Sequence, residues 1–112
     1  MAKINSRQKG KRGEIELSHF LTERGWPAKR GQQHKGGDDS PDVICERMAR
    51  NGLQVECKRV EALQLYAALE QAQEDAGPFK DGVVFHRRNN KPWVAVLDAD
   101  AFLRILAKAE EV

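Results

Sequence analysis

Hydrophobic and polar residues alternate with a period of two along residues 53–59, LQVECKR. The apolar positions are Leu53, Val55 and Cys57, and the polar positions are Gln54, Glu56 and Lys58. Because side chains alternate between the two faces of a strand, this pattern is typical of a half-buried strand. It predicts that an acid and a lysine, two positions apart, point the same way.

Helical spacing and turn-forming residues divide the rest of the chain into further elements. Helices are predicted at 8–24, 62–76 and 98–109, and strands at 26–33, 41–48, 82–88 and 92–98. The Asn51-Gly52 pair predicts a tight turn that joins strand 41–48 to strand 53–59 as a hairpin. The inward faces of the second and last helices are predicted to be Leu65, Leu69 and Ala72, and Phe102, Ile105 and Leu106, respectively.

The order of these elements is α-β-β-β-α-β-β-α, which predicts an α/β fold with a mixed sheet flanked by helices. Helix 62–76 separates two strands, and such strand–helix–strand units usually join parallel neighbours. We therefore expect a parallel crossover through this helix. The length of 112 residues predicts a single domain over residues 1–112.

Composition restricts the location of the protein. No apolar run approaches the 18 residues that span a bilayer, and no apolar segment follows the basic N-terminus. The two cysteines, Cys45 and Cys57, lie on predicted strands and are expected to be free thiols. We expect a cytoplasmic protein with no membrane partner, associated with the nucleoid or present in a phage-infected host cell.

Positive charge is concentrated at the start of the chain. The net charge is +2, but residues 1–35 contain nine Lys or Arg against three Glu, a local charge of +6. This asymmetry favours a polyanionic partner, although a solvated surface would have the same composition.

The hairpin would bring acidic residues from two strands together. Asp42 enters strand 41–48, and Glu56 and Lys58 lie on the paired strand, about 4.8 Å away. Two carboxylates and a backbone carbonyl, here that of Cys57, suit Mg²⁺, for which Mn²⁺ would substitute. Lys58 would then orient or deprotonate a water, or stabilise charge on a phosphate. Asp39, in the preceding loop, is the alternative acid to Asp42.

Glu14 lies on the apolar face of the first helix. Leu17 and Leu21 follow it by three and seven positions, so the three residues share one face. A carboxylate there is costly unless it is paired or bound to a metal. The alternative is an edge position that leaves the carboxylate in water.

These residues together resemble a known family. "PDV…VECK" resembles the PD-(D/E)xK nuclease motif, and the helix containing "KGKRGE" (9–14) resembles the first helix of archaeal and phage-type Holliday-junction resolvases. The resemblance implies a restriction-endonuclease-like fold and a homodimer that cuts branched DNA with Mg²⁺ and without an organic cofactor. It also implies that Glu14 joins Asp42 and Glu56 around the metal, and that Gln71 points back to the site. A solvated helical glutamine is the alternative for Gln71.

Several cations and glutamines are candidates for DNA contacts. They are Lys9, Lys11, Arg12, Arg30, Gln32, Gln33, Lys35, Arg87 and Arg88. Gly10 and Gly13 interrupt the basic start of the first helix, which indicates either close approach of a DNA backbone or a frayed helix start. Two other functions stay open: a nuclease or nickase acting on ordinary duplex or single-stranded DNA, and a DNA-binding module without turnover.

Overall fold

The computed structural model describes residues 6–31 and 42–111. Four helices lie in this part of the chain, α1 (Ser6–Glu23), α2 (Glu46–Arg50), α3 (Leu65–Ala76) and α4 (Ala99–Glu110). The strands are β1 (Lys29–Arg30), β2 (Val43–Ile44), β3 (Leu53–Arg59), β4 (Asp81–Arg87) and β5 (Val94–Val96).

The five strands form one mixed sheet in the order β1-β2-β3-β4-β5. β3 and β4 are parallel, and the other neighbouring pairs are antiparallel. Because α3 connects the two parallel strands, the expected crossover is confirmed. The α/β prediction, with a mixed sheet flanked by helices, is also confirmed, and it agrees with a restriction-endonuclease-like fold.

Helices cover both faces of the sheet. Leu17 and Leu21 of α1 pack with Val43, Val55 and Val83 in the larger core cluster. Ala68 and Ala72 of α3 pack with Val84 in a smaller cluster. α3 approaches the sheet closely at Gly82, where a Cβ atom would collide with the backbone of Ala72.

The segment between β2 and β3 differs from the predicted hairpin. Only Val43 and Ile44 belong to β2, and residues 46–50 form the short helix α2. One helical turn carries Met48 into the larger core, so burial of this side chain outweighs continued strand pairing. Gly52 has φ 80°, and its amide donates to the carbonyl of Ala49, so Asn51-Gly52 ends a helix rather than closing a two-residue turn.

Strand 26–33 is also shorter than predicted. Lys29 and Arg30 alone are paired in the described part of this segment, opposite Ile44 and Val43. β2 contributes two residues to the sheet, so β1 finds a partner only over that length. Residues 32 and 33 lie outside the described residues.

Parts of two helical faces were predicted wrongly. Leu69 and Ala72 of α3 are buried as expected, but Leu65 is 42% exposed in the first turn. On α4, Phe102 is 50% and Leu106 44% exposed, while Ala101 is buried. α3 packs on the sheet at Ala68 and Ala72, and α4 is buried at Ala101, so the expected inward orientation does not hold for Leu65, Phe102 and Leu106.

The thiols agree with expectation. Cys45 is buried, Cys57 is half-buried, and both are free. Among the helices that the structure describes, none has both the length and the hydropathy needed to cross a bilayer.

Candidate active site

Asp42 is held where β2 begins by two backbone contacts. Its carbonyl accepts from the amide of Gly31 at 2.9 Å, which fixes the position of the main chain beside β1. Its side-chain Oδ2 accepts from the amide of Cys57 on β3 at 3.0 Å. The antiparallel register, with Val43 opposite Val55, therefore brings the carboxylate of Asp42 to the middle of β3.

Glu56 lies next to Asp42 and is 6% exposed. Burial raises the pKa of Glu56 to about 9, and the nearby carboxylates of Asp42 and Asp75 add to the effect. A side-chain hydrogen bond between Glu56 and Asp42 favours the protonated form. Without a bound cation, the site therefore favours the protonated form of Glu56 beside Asp42.

Glu14 reaches the same region from α1 and is 9% exposed. Its Oε2 accepts a hydrogen bond from Nε of Arg30 at 2.6 Å. Burial raises the pKa of Glu14 and the negative charge of Asp42 raises it further, while the guanidinium of Arg30 opposes both. The carboxylate is thus buried and paired, and the alternative that leaves it in water does not hold.

The position of Glu14 depends on close packing of α1 against β3. A Cβ atom on Gly13 would lie 2.5 Å from Cβ of Arg59 and 3.7 Å from Sγ of Cys57. The first distance is far below van der Waals contact, so a side chain at this position would push the helix outward. Gly13 therefore permits the approach that brings Glu14 near Asp42.

Lys58 occupies the same side of β3 as Glu56, two residues further along. It lines a cavity of about 350 Å³ together with Gln64 and Gln71 of the α3 region. Gln71 donates a hydrogen bond to Oδ1 of Asp75 at 3.0 Å. The charge of Asp75 and its hydrogen bond with Glu56 both raise the pKa of Glu56. Gln71 is exposed, but it lies on the side of α3 that faces the candidate site, because it lines the same cavity as Lys58.

Asp75 and Gln64 were not among the predicted site residues. Asp75 follows Gln71 by four positions, so helical spacing alone places the two side chains on one face. Once Gln71 is assigned to the site, this spacing is the signal that would have found Asp75.

A second group of charges ties α1 to the parallel strands. Glu16 accepts from Nε of Arg59 at 3.2 Å and also from Arg87. Arg59 further donates to Asn89 at 3.0 Å, beyond the end of β4. The sequence pattern did not reveal this network. It ties α1 to β3 and β4 at Glu16, two residues after Glu14.

The carboxylates of the candidate site have the donor atoms that a divalent cation prefers, but in the described part of the chain they do not have the geometry of a preformed metal site. Within residues 6–31 and 42–111, no three His, Cys, Asp or Glu side chains form a ready-made cage for a metal. Arg30 holds Glu14, and Asp42 is bonded to Glu56 and to the β3 backbone. The donor chemistry nevertheless fits Mg²⁺ or Mn²⁺, because hard carboxylate oxygens are gathered where burial disfavours their negative charge.

The predicted DNA-contacting residues fall into three groups. Lys9, Lys11 and Arg12 are exposed on the first turns of α1, and Arg88 is exposed after β4. Arg30 and Arg87 are paired with Glu14 and Glu16. Gln32, Gln33 and Lys35 lie outside the described residues, as does Asp39. Contact of these residues with DNA stays a prediction.

Comparison with known families agrees with the architecture. A family model described as archaeal Holliday junction resolvase (hjc) matches residues 5–97. The match spans every element from α1 to β5 and ends before α4. The comparisons with curated proteins and with solved structures gave no match.

Proposed function

Because this chain belongs to the archaeal Holliday junction resolvase family, we propose that it is a metal-dependent endonuclease that cuts four-way DNA junctions. The proposal is supported by the position of Asp42, whose carboxylate interacts with both Glu14 of α1 and Glu56 of β3, and by Lys58 on the same strand as Glu56. Burying carboxylates costs free energy in any protein. A protein that only bound DNA would need cations and would gain nothing from these acids.

Glu14, Asp42, Glu56 and the backbone carbonyl of Cys57 would hold Mg²⁺, and Mn²⁺ would substitute. When bound, the cation would activate water and neutralise charge that develops on the phosphate. Binding of the cation would favour the ionised form of Glu56 and would compete with Arg30 for the carboxylate of Glu14. Both events follow from the attraction between a divalent cation and the carboxylates.

Lys58 would act directly on the scissile phosphate or on the attacking water. Lys58 is half-buried and lines the same cavity as Gln71. A positive charge is most effective in a partly desolvated position, where it stabilises negative charge forming in the transition state. Gln71 would position Asp75 and, through it, the environment of Glu56.

The exposed cations of α1 would bind the DNA backbone. Lys9, Lys11 and Arg12 lie within five residues of Glu14, on the part of the helix that leads into the site. Arg88 lies beyond β4 and would extend this surface. Contacts of this kind position DNA without reading its sequence, and they make the affinity dependent on salt.

The working unit would be a homodimer in the cytoplasm, bound to branched DNA. Two cuts placed symmetrically across a four-way junction require two sites related by a two-fold axis. A two-fold dimer supplies them, whereas a monomer would release singly nicked junctions between cuts.

The test is cleavage of labelled DNA with and without Mg²⁺, using a four-way junction, a linear duplex and a single strand. We expect paired symmetric nicks in the junction alone, lost with Glu56→Ala. Equal cutting of all three substrates would leave a nuclease but remove the junction preference. Tight binding without cutting would replace the proposal by a DNA-binding module.

A further inference from the structure

A cavity of about 430 Å³ lies beside β1, the strand at one edge of the sheet. Its lining comes from β1 and the segment before it, from β2 and from α2. Apolar atoms are supplied by Pro27, Ala28 and Ile44, and charges by Lys29, Glu46, Arg47 and Arg50. We call this cavity the edge pocket. Its three cations were not among the predicted DNA contacts, and the candidate active site does not use them.

Arg47 is held in a fixed position at the edge pocket. Its Nη1 donates to the carbonyl of Gly25 at 2.8 Å, and its guanidinium lies over the ring of Trp26, 4.2 Å from the centroid. Trp26 packs against the larger core, so its ring is a firm support for the guanidinium. A side chain that is already ordered loses less entropy when it binds a ligand.

The positive charge of the edge pocket is not neutralised by ion pairs. Other arginines of the domain each pair with an acid: Arg30, Arg59, Arg87 and Arg104. In residues 6–31 and 42–111, no ion pair involves Lys29, Arg47 or Arg50. Glu46 also lines the cavity, which leaves an excess of two positive charges. Arg47 and Arg50 are three positions apart and therefore lie on one face of α2.

The edge pocket lies on the same face of the sheet as the acids of β2 and β3. Val43 faces the larger core, so Asp42 and Ile44 on either side of it face the opposite way. Lys29 is paired with Ile44 in the antiparallel register and shares its face. Two residues of extended strand separate Ile44 from Asp42 by about 7 Å. This separation corresponds to about two nucleotide steps along one strand of DNA.

We propose that the edge pocket is a second binding site for the DNA backbone, in addition to the exposed cations of α1. The excess positive charge selects a polyanion, and guanidinium groups form charge-assisted hydrogen bonds with phosphate oxygens. The apolar wall at Ile44 fits the carbon atoms of the deoxyribose rings between successive phosphates. DNA with one phosphate at Asp42 would carry its next phosphates past Lys29, Arg47 and Arg50.

The choice of DNA as the polyanion rests on the proposed function, whereas the pocket and its charge follow from the contacts described above. Backbone contacts of this kind fix the position of DNA without reading its sequence. They also release counterions, so each one adds to the salt dependence of binding.

The experiment is equilibrium binding of a labelled linear duplex and a labelled four-way junction by the full chain in EDTA, over a series of salt concentrations. Lys29→Met combined with Arg50→Met removes two charges that form no hydrogen bond or ion pair with the described residues, so the fold should persist. We expect the affinity to fall about tenfold, and the slope of log affinity against log salt to decrease by about two. Arg24→Met combined with Lys108→Met is the matched control, because both cations are exposed and lie outside the edge pocket.

Glu46→Gln tests the edge pocket in the opposite direction. Removing this acid raises the net charge of the cavity, so both DNA substrates should bind severalfold more tightly. Glu110→Gln, at an exposed position at the end of α4, should leave the affinity unchanged.

An unchanged affinity and salt slope in the Lys29→Met, Arg50→Met variant would overturn the inference. An equal loss in the control would also overturn it, since that result would show only an effect of net charge. Binding of a labelled poly-glutamate peptide is measured alongside, and loss of peptide binding with unchanged DNA binding would assign the edge pocket to an acidic protein segment instead. Because no metal is present, a chain that binds DNA through the edge pocket but fails to cut it with Mg²⁺ would contradict the proposed function alone.

Discussion

Nε of Arg30 donates a hydrogen bond to Oε2 of Glu14 at 2.6 Å, so β1 supplies a cation to a buried carboxylate of α1. The Glu14 side chain is nearly covered and the Arg30 side chain is partly exposed, so the degree of burial of this ion pair is intermediate. In the proposed site, the guanidinium would compete with a divalent cation for the carboxylate of Glu14.

Arg30→Met is expected to lower stability and to tighten binding of Mn²⁺. Loss of the guanidinium leaves Glu14 uncompensated, which we estimate to cost about 1–2 kcal/mol. It also removes a competing positive charge, so Mn²⁺ should bind about tenfold more tightly. Urea unfolding and calorimetric titration, both without DNA, measure the two effects. Arg88→Met is the control, and unchanged or weaker Mn²⁺ binding by Arg30→Met would contradict the competition.

Glu56 should make metal-free stability fall as the pH rises. The folded state keeps a proton on Glu56 up to a pKa of about 9, whereas the unfolded chain loses it near the ordinary value of 4.5. Between these values the native state binds more protons, so the free energy of unfolding falls by up to about 1.4 kcal/mol per pH unit.

Glu56→Gln should flatten that dependence and stabilise the protein above neutral pH, as measured by urea unfolding in EDTA across the pH series. Glu70→Gln, at an exposed position on α3, serves as control and should keep the wild-type slope. A wild-type stability that does not decline through this range would show that Glu56 ionises normally.

Gly10 and Gly13 are expected to respond in opposite directions to alanine. Nothing lies within 4 Å of a Cβ atom on Gly10, so Gly10→Ala should stabilise α1 by about 1 kcal/mol. Gly13→Ala should destabilise the protein, because its methyl group meets Cβ of Arg59. Thermal unfolding compares the two variants.

Junction binding by Gly10→Ala separates the two explanations that the sequence left open for this glycine. Weakened binding, despite the stabilised helix, would indicate close approach of the DNA backbone. Unchanged binding would indicate that Gly10 limits only the stability of the helix start.

Lys58→Met should separate binding from cleavage. The variant should bind junctions as tightly as the wild type, while its single-turnover cleavage rate falls about a hundredfold or more. Lys80→Met, an exposed lysine before β4, is the matched control. Cleavage at the wild-type rate would remove Lys58 from the proposed mechanism.

The sequence revealed β3 to the residue because its alternation arises within one strand, with one side packed against the larger core. It did not reveal α2, because that five-residue helix forms where Met48 is buried by partners distant in sequence. The orientation of α4 was likewise hidden, since an amphipathic pattern identifies an apolar face but does not show whether the rest of the domain packs against it.

The acids of the candidate site were predictable because each has a local signal, such as Asp42 at a strand entry or Glu14 on an apolar helix face. The pairings were not. Arg30 is 16 positions from Glu14, and Arg87 is 71 positions from Glu16. Such contacts depend on how α1 lies across the sheet, and a single sequence contains no periodic signal for that angle.

Cleavage of a labelled four-way junction by Asp42→Asn tests the central claim most directly. This substitution keeps the size of the side chain but removes the charge that the proposed metal site needs. With Mg²⁺ under single-turnover conditions, the wild type and the exposed control Glu23→Gln should produce paired symmetric nicks. Asp42→Asn should bind the junction and leave it uncut. Cutting by Asp42→Asn at the wild-type rate would contradict the assignment of the site.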